Sequence, residues 1–378
     1  MNRIYLDYNS TAPLNIHVYK NFIKALSNFG NPSSVHTEGR QAKAVIGEAR
    51  QKISDLLHAD KKNVIFTSGA TEAAATLLTR YYFSGRIPLV MSHFYFSATE
   101  HPCITCLGRF PVEMSQVIPV DANGIVQPEK LKKILMRHDK SKGLPLVAIQ
   151  YANHETGVIQ PIMALAKVVR EAGGLFIVDI VQAVFREKID IRKGVGDFFI
   201  LSAHKMGGPK GIGAFVASEN TIRPQPLLPG GGQEYGLRSG TEAVPLILAF
   251  GVAATYASYT SEDQRRLAYF QRYLEQSLQD ILPNLMIHGR DVSRLANTTF
   301  FSAPDFKAET MQIAFDLAGI AVSGGAACSS GKVGLSPVLR AMGYQKGAIR
   351  VSTGKETTMK EIEEFLTVFK KIISYDKT

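Results

Sequence analysis

An aspartate and a lysine stand at the ends of two successive apolar segments, where they could hold a cofactor. Asp179 lies near the end of LFIVDI, and Lys205 follows DFFILS, between His204 and a glycine-rich turn. A carboxylate in an apolar strand is costly unless it meets a cation, and a lysine amine there can form a Schiff base. Taken singly, Asp179 could cap a loop and Lys205 could lie on the surface. Together they indicate pyridoxal 5′-phosphate (PLP), with Lys205 bonded to its aldehyde and Asp179 facing its pyridinium nitrogen.

The strength of that carboxylate–pyridinium contact decides whether the ring stays protonated. At 4 Å and an effective dielectric constant of 20, the attraction is about 4 kcal/mol, or roughly three pKa units. We therefore expect Asp179 to keep the ring charged and electron-withdrawing at neutral pH.

A phosphate cradle is predicted at Ser68-Gly69-Ala70-Thr71, between a strand and a helix. Free N–H groups at a helix N-terminus and the Thr71 hydroxyl would face one point. The glycine spacing fits neither a P-loop nor a dinucleotide-binding fingerprint. An ordinary helix N-cap is the alternative interpretation.

Three cysteines offer thiol chemistry, and one of them has an unusual setting. Cys328 lies in GGAACSSGK, where Gly, Ala and Ser provide no apolar neighbours, which predicts a thiol on an exposed loop. Cys103 and Cys106 form CITC, but the sequence has no second ligand pair and no thioredoxin-like setting. These two are predicted to pack on an apolar helix face.

The elements that must position these residues alternate along the chain. Short apolar segments without clear alternation are typical of strands buried on both faces, and amphipathic segments between them are predicted helices. This order predicts an α/β domain with a largely parallel sheet. The predicted strands are Asn63–Ser68, Pro88–Ser92, Pro145–Tyr151, Leu175–Ile180 and Asp197–Ser202, and the clearest helices are Gly39–Leu57 and Pro161–Gly173.

The pattern changes after residue 258. A long helical segment, the strand-like ANTTFFS, a helix through ETMQIAFDLAG and a closing helix from Thr358 predict a smaller α+β domain. We place the large domain at residues 15–258 and the small domain at residues 1–14 and 259–378.

Composition limits the classes of function. The 378 residues are 45% hydrophobic and 20% charged, which is ordinary for a soluble globular protein. No apolar run approaches membrane-spanning length, MNRIYLDYNS lacks a signal-peptide core, and three cysteines suit a reducing compartment. The net charge of +10 is interpreted as a dispersed basic surface, because no run of five like charges occurs. We expect a cytoplasmic protein without a membrane or direct nucleic-acid partner.

With these residues in view, the chain resembles the cysteine desulfurases (NifS/IscS-like), a group within the class V aminotransferases. The resemblance covers nearly the whole chain and implies PLP fold type I, with a mostly parallel mixed sheet in the large domain. The matching motifs are YLDYNSTAPL, GNPSSVHTEGR, VIFTSGATE, ATEHP, NHETGVIQP, VDIVQA, SAHKMGGPKGIGA, GGGQEYGLRSGTE, GAACSSGK and IRVSTG.

The resemblance implies a role for each matching side chain. His101 would stack on the ring and shuttle protons as an imidazole titrating near neutrality, and Gln182 would bind the phenolic oxygen of PLP. Arg350 would grip the substrate carboxylate, although a surface salt bridge is the alternative. The remaining assignments are phosphate binding by Gly69, Ala70, Thr71, Ser202 and His204, phosphate binding in the partner subunit by Thr241, cofactor contact by His154, and substrate contact by Asn153.

The implied reaction converts L-cysteine to L-alanine. The Cys328 thiolate would attack the substrate sulfur and carry it as a persulfide to an acceptor protein, in iron–sulfur cluster assembly or thiolation. The implied working unit is a homodimer.

Several positions depart from the family pattern. His154 stands where Asn is usual, and Ile180 and Val181 stand where Ala and a small Thr or Val are usual. The alanines after GATE stand where Asn is frequent, and Tyr235 replaces a common Arg. A class V aminotransferase, a β-lyase and a selenocysteine lyase therefore stay open as alternatives. So does an inactive scaffold that binds sulfur-acceptor proteins.

Overall fold

The structure is a computed structural model that describes residues 3–324 and 336–375. Cys328 lies outside the described residues, so its predicted loop is not part of the description below. The strands are β1 (Ile4–Tyr5), β2 (Val64–Thr67), β3 (Tyr81–Ser84), β4 (Ile87–Ser97), β5 (Ser115–Ile118), β6 (Leu144–Gln150), β7 (Leu175–Asp179), β8 (Phe198–Ser202), β9 (Gly213–Ala217), β10 (Ile222–Pro224), β11 (Met286–Ile287), β12 (Thr298–Ser302), β13 (Ile320–Ala321), β14 (Ser323–Gly324) and β15 (Ile349–Ser352).

Helices separate most of these strands. The α-helices are α1 (Ile16–Ala25), α2 (Thr37–Leu57), α3 (Ala70–Leu77), α4 (Pro102–Thr105), α5 (Pro128–Leu135), α6 (Ile162–Glu171), α7 (Val244–Ala257), α8 (Ser261–Ile281), α9 (Ala308–Leu317), α10 (Pro337–Ala341) and α11 (Met359–Tyr375).

A nine-stranded mixed sheet organises the large part of the chain. Its order is β10-β3-β4-β6-β7-β8-β9-β2, with β5 paired to β4. The pairs from β5 through β8 are parallel, and antiparallel pairs stand at both ends, so that only β3 and β9 run against the other strands. This confirms the predicted α/β class with a mostly parallel mixed sheet.

The central strands are buried on both faces, as their apolar runs predict. Within β8, Phe198 and Phe199 belong to different hydrophobic cores, and so do Ile177 and Val178 of β7. Successive side chains of a strand point to opposite faces, so each strand contributes to both cores.

The predicted strand positions are confirmed, and two pairings were missed. Pro88–Ser92 is only part of β4, which continues to Ser97 and forms a hairpin with β3. The segment Gly213–Ala217 is a central strand, β9, that runs antiparallel between β8 and β2.

A second sheet, of order β11-β12-β15-β14, is formed by the C-terminal part. Its hydrophobic core combines Ile4 and Leu6 with side chains between Leu267 and Ile373. The first strand pairs in parallel with β13, Ile4 opposite Ile320. These contacts support our division into residues 15–258 and residues 1–14 with 259–378, which stays a prediction.

Among the described residues, no single helix is long and apolar enough to cross a membrane. Only α7 and α8 taken together reach the necessary length and composition, and they meet at 77°.

Candidate active site

A cavity of about 510 Å³ opens at the carboxyl ends of the parallel strands. Gln150 ends β6 and lies opposite Asp179, the last residue of β7, while Ser202 ends β8. All three line the cavity. Carboxyl ends of neighbouring parallel strands meet at one edge of a sheet, where open α/β sheets bind their ligands.

One side of the cavity is built for an anion. Thr67 of β2 and Ser202 of β8 both pair with Gly213, which brings the start of α3 next to the end of β8. Gly69, the N-cap of α3, provides no side-chain cap, and the N–H groups of Ala70 and Thr71 have no acceptor among the described residues. Free donors at a helix N-terminus suit an anion, and their role as a phosphate cradle stays a prediction.

One histidine and one lysine side chain extend this cradle. His204 and Lys210 line the cavity together with Thr71. His204 Nδ1 lies 3.2 Å from Thr11 Oγ1, and burial with the nearby Lys205 lowers the pKa of His204 to about 4. A bound anion would therefore meet a neutral imidazole and the Lys210 ammonium.

Asp179 is a buried carboxylate that faces the cavity. Its side chain accepts one hydrogen bond among the described residues, from the N–H of Val181 at 2.9 Å. Burial raises the pKa of Asp179 to about 6, opposed by this hydrogen bond and by Lys205. A cationic partner inside the cavity would remove the energetic cost of its charge.

Lys205 reaches the cavity from a short helical turn that follows β8. Its Nζ donates to the main-chain oxygens of Asn9 at 2.7 Å and Ser10 at 2.9 Å. The N-terminal segment therefore holds the amine at the cavity that Asp179 also lines, and its role as the reactive lysine stays a prediction.

Gln182 lies in the cavity wall with both ends of its amide engaged. Nε2 donates to the Asn9 oxygen at 3.0 Å, and Oε1 accepts from Arg186 Nη1 at 2.5 Å. The second Nε2 hydrogen has no acceptor among the described residues. It can donate to an oxygen in the cavity, as expected.

His101 lines the cavity, but the expectation that it titrates near neutrality is wrong. Burial, followed by the charge of Lys205, lowers the pKa of His101 to about 4. Its Nδ1 accepts from the Cys103 N–H at 3.2 Å, which assigns the proton of the neutral ring to Nε2. At neutral pH the imidazole is therefore an N–H donor.

His154 also reaches the cavity and meets His101 edge to face, with ring centroids 5.3 Å apart. Burial, with smaller contributions from His101, Arg350 and Lys205, holds the pKa of His154 well below its ordinary value. The neighbouring Glu155 accepts from the Ser336 hydroxyl, and burial raises the pKa of Glu155 to about 7. The departure at His154 therefore places a neutral imidazole in the wall.

Arg350 stands behind the wall, in contact with two lining residues. It donates to the Ser10 hydroxyl at 2.6 Å and to the His154 oxygen at 2.8 Å, and it pairs with Asp7 at 2.8 Å. Its Nε has no partner among the described residues. The guanidinium is buried, so the alternative of a surface salt bridge is wrong.

Two predicted residues lie away from the cavity wall. Asn153 is buried, with Oδ1 accepting from the N–H groups of Glu155 and Thr156 and Nδ2 donating to Thr99, so its amide stabilises this loop. Thr241 is exposed and does not line the cavity of its own chain.

The other departures from the family pattern differ in their distance from the cavity. Val181 lines it, whereas Ile180 points into the core. Ala73 and Ala74 are buried in the opposite core. Tyr235 is half-exposed and packs against Arg50, away from the cavity.

Sequence reasoning missed several lining residues, chiefly Ser10 and Thr11. Their signal was the motif YLDYNSTAPL, to which no role was assigned. Cys103 is buried in a hydrophobic core, as predicted, and it also lines the cavity, whereas Cys106 is exposed, so the prediction is wrong for Cys106. No group of three or more His, Cys, Asp or Glu side chains in the described ranges could hold a metal ion.

These features fit PLP. The uncapped start of α3 suits its phosphate, the carboxylate of Asp179 suits its pyridinium nitrogen, and Lys205 supplies an amine for its aldehyde.

Comparisons with known proteins agree with this geometry. The family described as Aminotransferase class-V matches residues 4–365. Cysteine desulfurase 2 of Trichormus variabilis is 34% identical over 381 residues, which cover 99% of this chain and 94% of the relative.

Two solved structures share the fold. A NifS-like protein from Rickettsia africae superposes with a TM-score of 0.88 at 33% identity, covering 99% of this chain and 100% of the other. A structure described as SspA in complex with cysteine has a TM-score of 0.76 at 26% identity, covering 94% and 100%.

Proposed function

The chain belongs to the class V aminotransferase family, and we propose that it is a PLP-dependent cysteine desulfurase that converts L-cysteine to L-alanine. The observation that supports this function is that Lys205, Asp179 and the start of α3 all line one cavity. The chain is also similar over 99% of its length to a cysteine desulfurase. The structure described as SspA in complex with cysteine supports the choice of substrate.

PLP would be held by groups that stand around the cavity. Thr71, Ser202 and His204, with the N–H groups of Gly69–Thr71, would bind its phosphate, and Lys205 would bond to its aldehyde. His101 would lie against the ring, with His154 beside it. When bound, PLP supplies an electron sink that makes the Cα proton of an amino acid acidic.

The remaining chemistry falls to side chains of this chain. We assign the Cα proton to Lys205 Nζ, because that amine lines the cavity and would be the group that bonds to the PLP aldehyde. His101 supplies an N–H from Nε2, since its Nδ1 is engaged by Cys103. Arg350 recognises the substrate carboxylate together with the Ser10 hydroxyl that it contacts.

Sulfur transfer is assigned to Cys328. Its thiolate attacks Sγ of the substrate, the Cβ–Sγ bond breaks and an S–S bond forms. The electron pair of the broken bond stays with Cβ, which takes a proton and becomes the methyl group of alanine. The transferred sulfur is left as a persulfide on Cys328, so no external oxidant or reductant is needed.

The setting of this activity is also a proposal. We infer a homodimer in which the exposed Thr241 reaches the partner's phosphate site, and a cytoplasmic location for an enzyme whose described cysteines are free thiols. The persulfide would pass to a sulfur-acceptor protein in iron–sulfur cluster assembly or thiolation. Sedimentation tests the dimer, and a monomer with full PLP occupancy would contradict it.

The decisive experiment measures products from L-cysteine. We expect alanine and sulfide in equal amounts when PLP-loaded protein is incubated with L-cysteine and a thiol reductant. Pyruvate with ammonia would indicate a β-lyase, and dependence on a 2-oxo acid would indicate an aminotransferase. A protein that binds no PLP would leave only the scaffold role.

A further inference from the structure

Arg186 is a buried cation immediately behind the cavity wall. Only 3% of its surface is exposed, and no ion pair among the described residues includes it. Nε and Nη2 lack hydrogen-bond partners in the described chain, although the Tyr259 hydroxyl faces the guanidinium. An arginine without a carboxylate is expensive to bury, so its environment calls for an explanation.

Among the described residues, the Arg186 guanidinium donates hydrogen bonds to Gln182. Nη1 donates to Gln182 Oε1 at 2.5 Å and to the Gln182 main-chain oxygen at 3.0 Å. On the other side, Gln182 Nε2 donates to the Asn9 carbonyl oxygen at 3.0 Å. The side-chain amide therefore lies between a group that can only donate and a group that can only accept.

This arrangement determines which end of the amide faces which neighbour. A guanidinium has no acceptor, so it excludes the orientation that turns the amide NH2 toward Arg186. A carbonyl has no donor, so it excludes the orientation that turns Oε1 toward Asn9. The amide can adopt one orientation only, and its remaining N–H hydrogen is left for an acceptor in the cavity.

We propose that Arg186 is a positioning residue that locks the Gln182 amide with its donor toward the phenolic oxygen of PLP. The inference rests on the proposed function, because that function supplies the cofactor. Arg186 touches neither cofactor nor substrate, and it acts through Gln182. Without Arg186 the Asn9 carbonyl alone orients the amide, and an amide that flips would present an oxygen to another oxygen.

The test is a double-mutant cycle on PLP binding to the PLP-free full-length protein. The four proteins are wild type, Arg186→Met, Gln182→Ala and the double variant. The readouts are the dissociation constant of PLP and the ratio of its two visible absorbance bands at a fixed pH. We expect Arg186→Met and Gln182→Ala each to raise the dissociation constant about tenfold and to change the band ratio in the same direction. In the Gln182→Ala background, Arg186→Met should add less than about twofold.

Two further variants separate positioning from folding. Arg186→Lys keeps a charge and a donor, and we expect it to restore binding to within about threefold of wild type. Tyr259→Phe removes the other polar neighbour of Arg186 without touching Gln182, and we expect a wild-type band ratio.

Thermal unfolding of each PLP-free protein shows whether it folds. If Arg186→Met is insoluble, Arg186→Gln replaces it, with an expected loss of about threefold because its amide still donates.

Equal effects of Arg186→Met with and without Gln182 would overturn the proposal, and so would Arg186→Lys behaving like Arg186→Met. Both outcomes leave the proposed function intact, since wild type would still bind PLP and desulfurate L-cysteine. If wild type does neither, the proposed function fails instead.

Discussion

Gln182 and Lys205 donate hydrogen bonds to one atom, the main-chain oxygen of Asn9, at 3.0 and 2.7 Å. Asn9 is held in turn by the second sheet, since its N–H donates to Ser352 Oγ at 3.0 Å and its Nδ2 donates to Thr298 Oγ1 at 2.9 Å. A single residue of the N-terminal segment thus joins the two sheets to the proposed PLP site.

Replacing Asn9 with Ala should weaken this connection. The substitution removes the side-chain hydrogen bonds to Thr298 and Asn297, and we expect a loss of about 1–2 kcal/mol in unfolding free energy with weaker PLP binding. Asn21→Ala is the matched control, because Asn21 is exposed and bonds only within its own helix. Denaturant unfolding and PLP titration measure both effects, and equal behaviour of the two variants would contradict the expectation.

Of the lysines in the described part of the chain, Lys205 and Lys210 line the cavity, and only Lys205 is expected to bond covalently to PLP. Borohydride reduction followed by peptide mapping should find the pyridoxyl group on Lys205. Lys205→Ala should carry no reduced adduct, whereas Lys210→Ala should retain it on Lys205. An adduct on Lys210 of the wild-type protein would refute the assignment.

His101 has two separable roles, as helix cap and as N–H donor. Asn is a strong N-cap residue, so His101→Asn should keep the fold near wild-type stability yet lose the Nε2 donor and most desulfurase activity. His101→Ala should lose activity and, in addition, about 1 kcal/mol of unfolding free energy. Because the pKa of His101 lies near 4, its titration does not shape the pH dependence of activity between pH 6 and 8. The residual activity of His101→Asn should therefore follow the wild-type pH profile over that range.

The PLP-free protein should show the cost of burying Asp179. Its pKa is about 6 in the folded chain against an ordinary 3.8, so its protonated form stabilises the fold fully below pH 3.8. That contribution is lost as pH rises through 6, and the full difference corresponds to roughly 3 kcal/mol. The asparagine side chain of Asp179→Asn does not titrate. Between pH 4 and 8, the unfolding free energy of Asp179→Asn minus that of wild type should therefore increase by up to that amount.

The comparison is made by urea unfolding of both proteins across this range. Glu155 titrates in both proteins and cancels in the difference, whereas Glu100, whose pKa the Asp179 charge helps to raise, does not cancel fully. Parallel stability profiles would show that Asp179 is not desolvated. With PLP bound we expect wild type to be more stable than Asp179→Asn, since the carboxylate then has its cationic partner.

Cys328 is expected to carry the transferred sulfur. Cys328→Ser should bind PLP and L-cysteine yet release no sulfide, and mass spectrometry of wild type after L-cysteine without reductant should find one added sulfur atom on Cys328. Cys106→Ser is the matched control and should retain activity, because Cys106 is exposed and does not line the cavity, whereas Cys103 does. Sulfur on either of these residues, or sulfide release by Cys328→Ser, would contradict the assignment.

Much of the site could be predicted because its parts are local. Asp179 and Ser202 end strands whose apolar runs are visible along the chain, and carboxyl ends of parallel strands meet at one edge. The partners of these residues come from distant positions, such as Asn9 beside Gln182. Asn153 is an example of a residue whose role the motif did not reveal. The motif predicted substrate contact, whereas the hydrogen bonds of its amide stabilise a loop.

The sequence by itself determined the α/β class, the strands at its centre and the residue types that indicate PLP, because burial on both faces and reactive side chains leave local signatures. Only the tertiary structure decided that β9 runs antiparallel, that burial lowers the pKa of His101 and that Arg186 contacts Gln182. Pairing direction, desolvation and hydrogen-bond orientation depend on groups far apart in the chain, and no local pattern records which of them become neighbours.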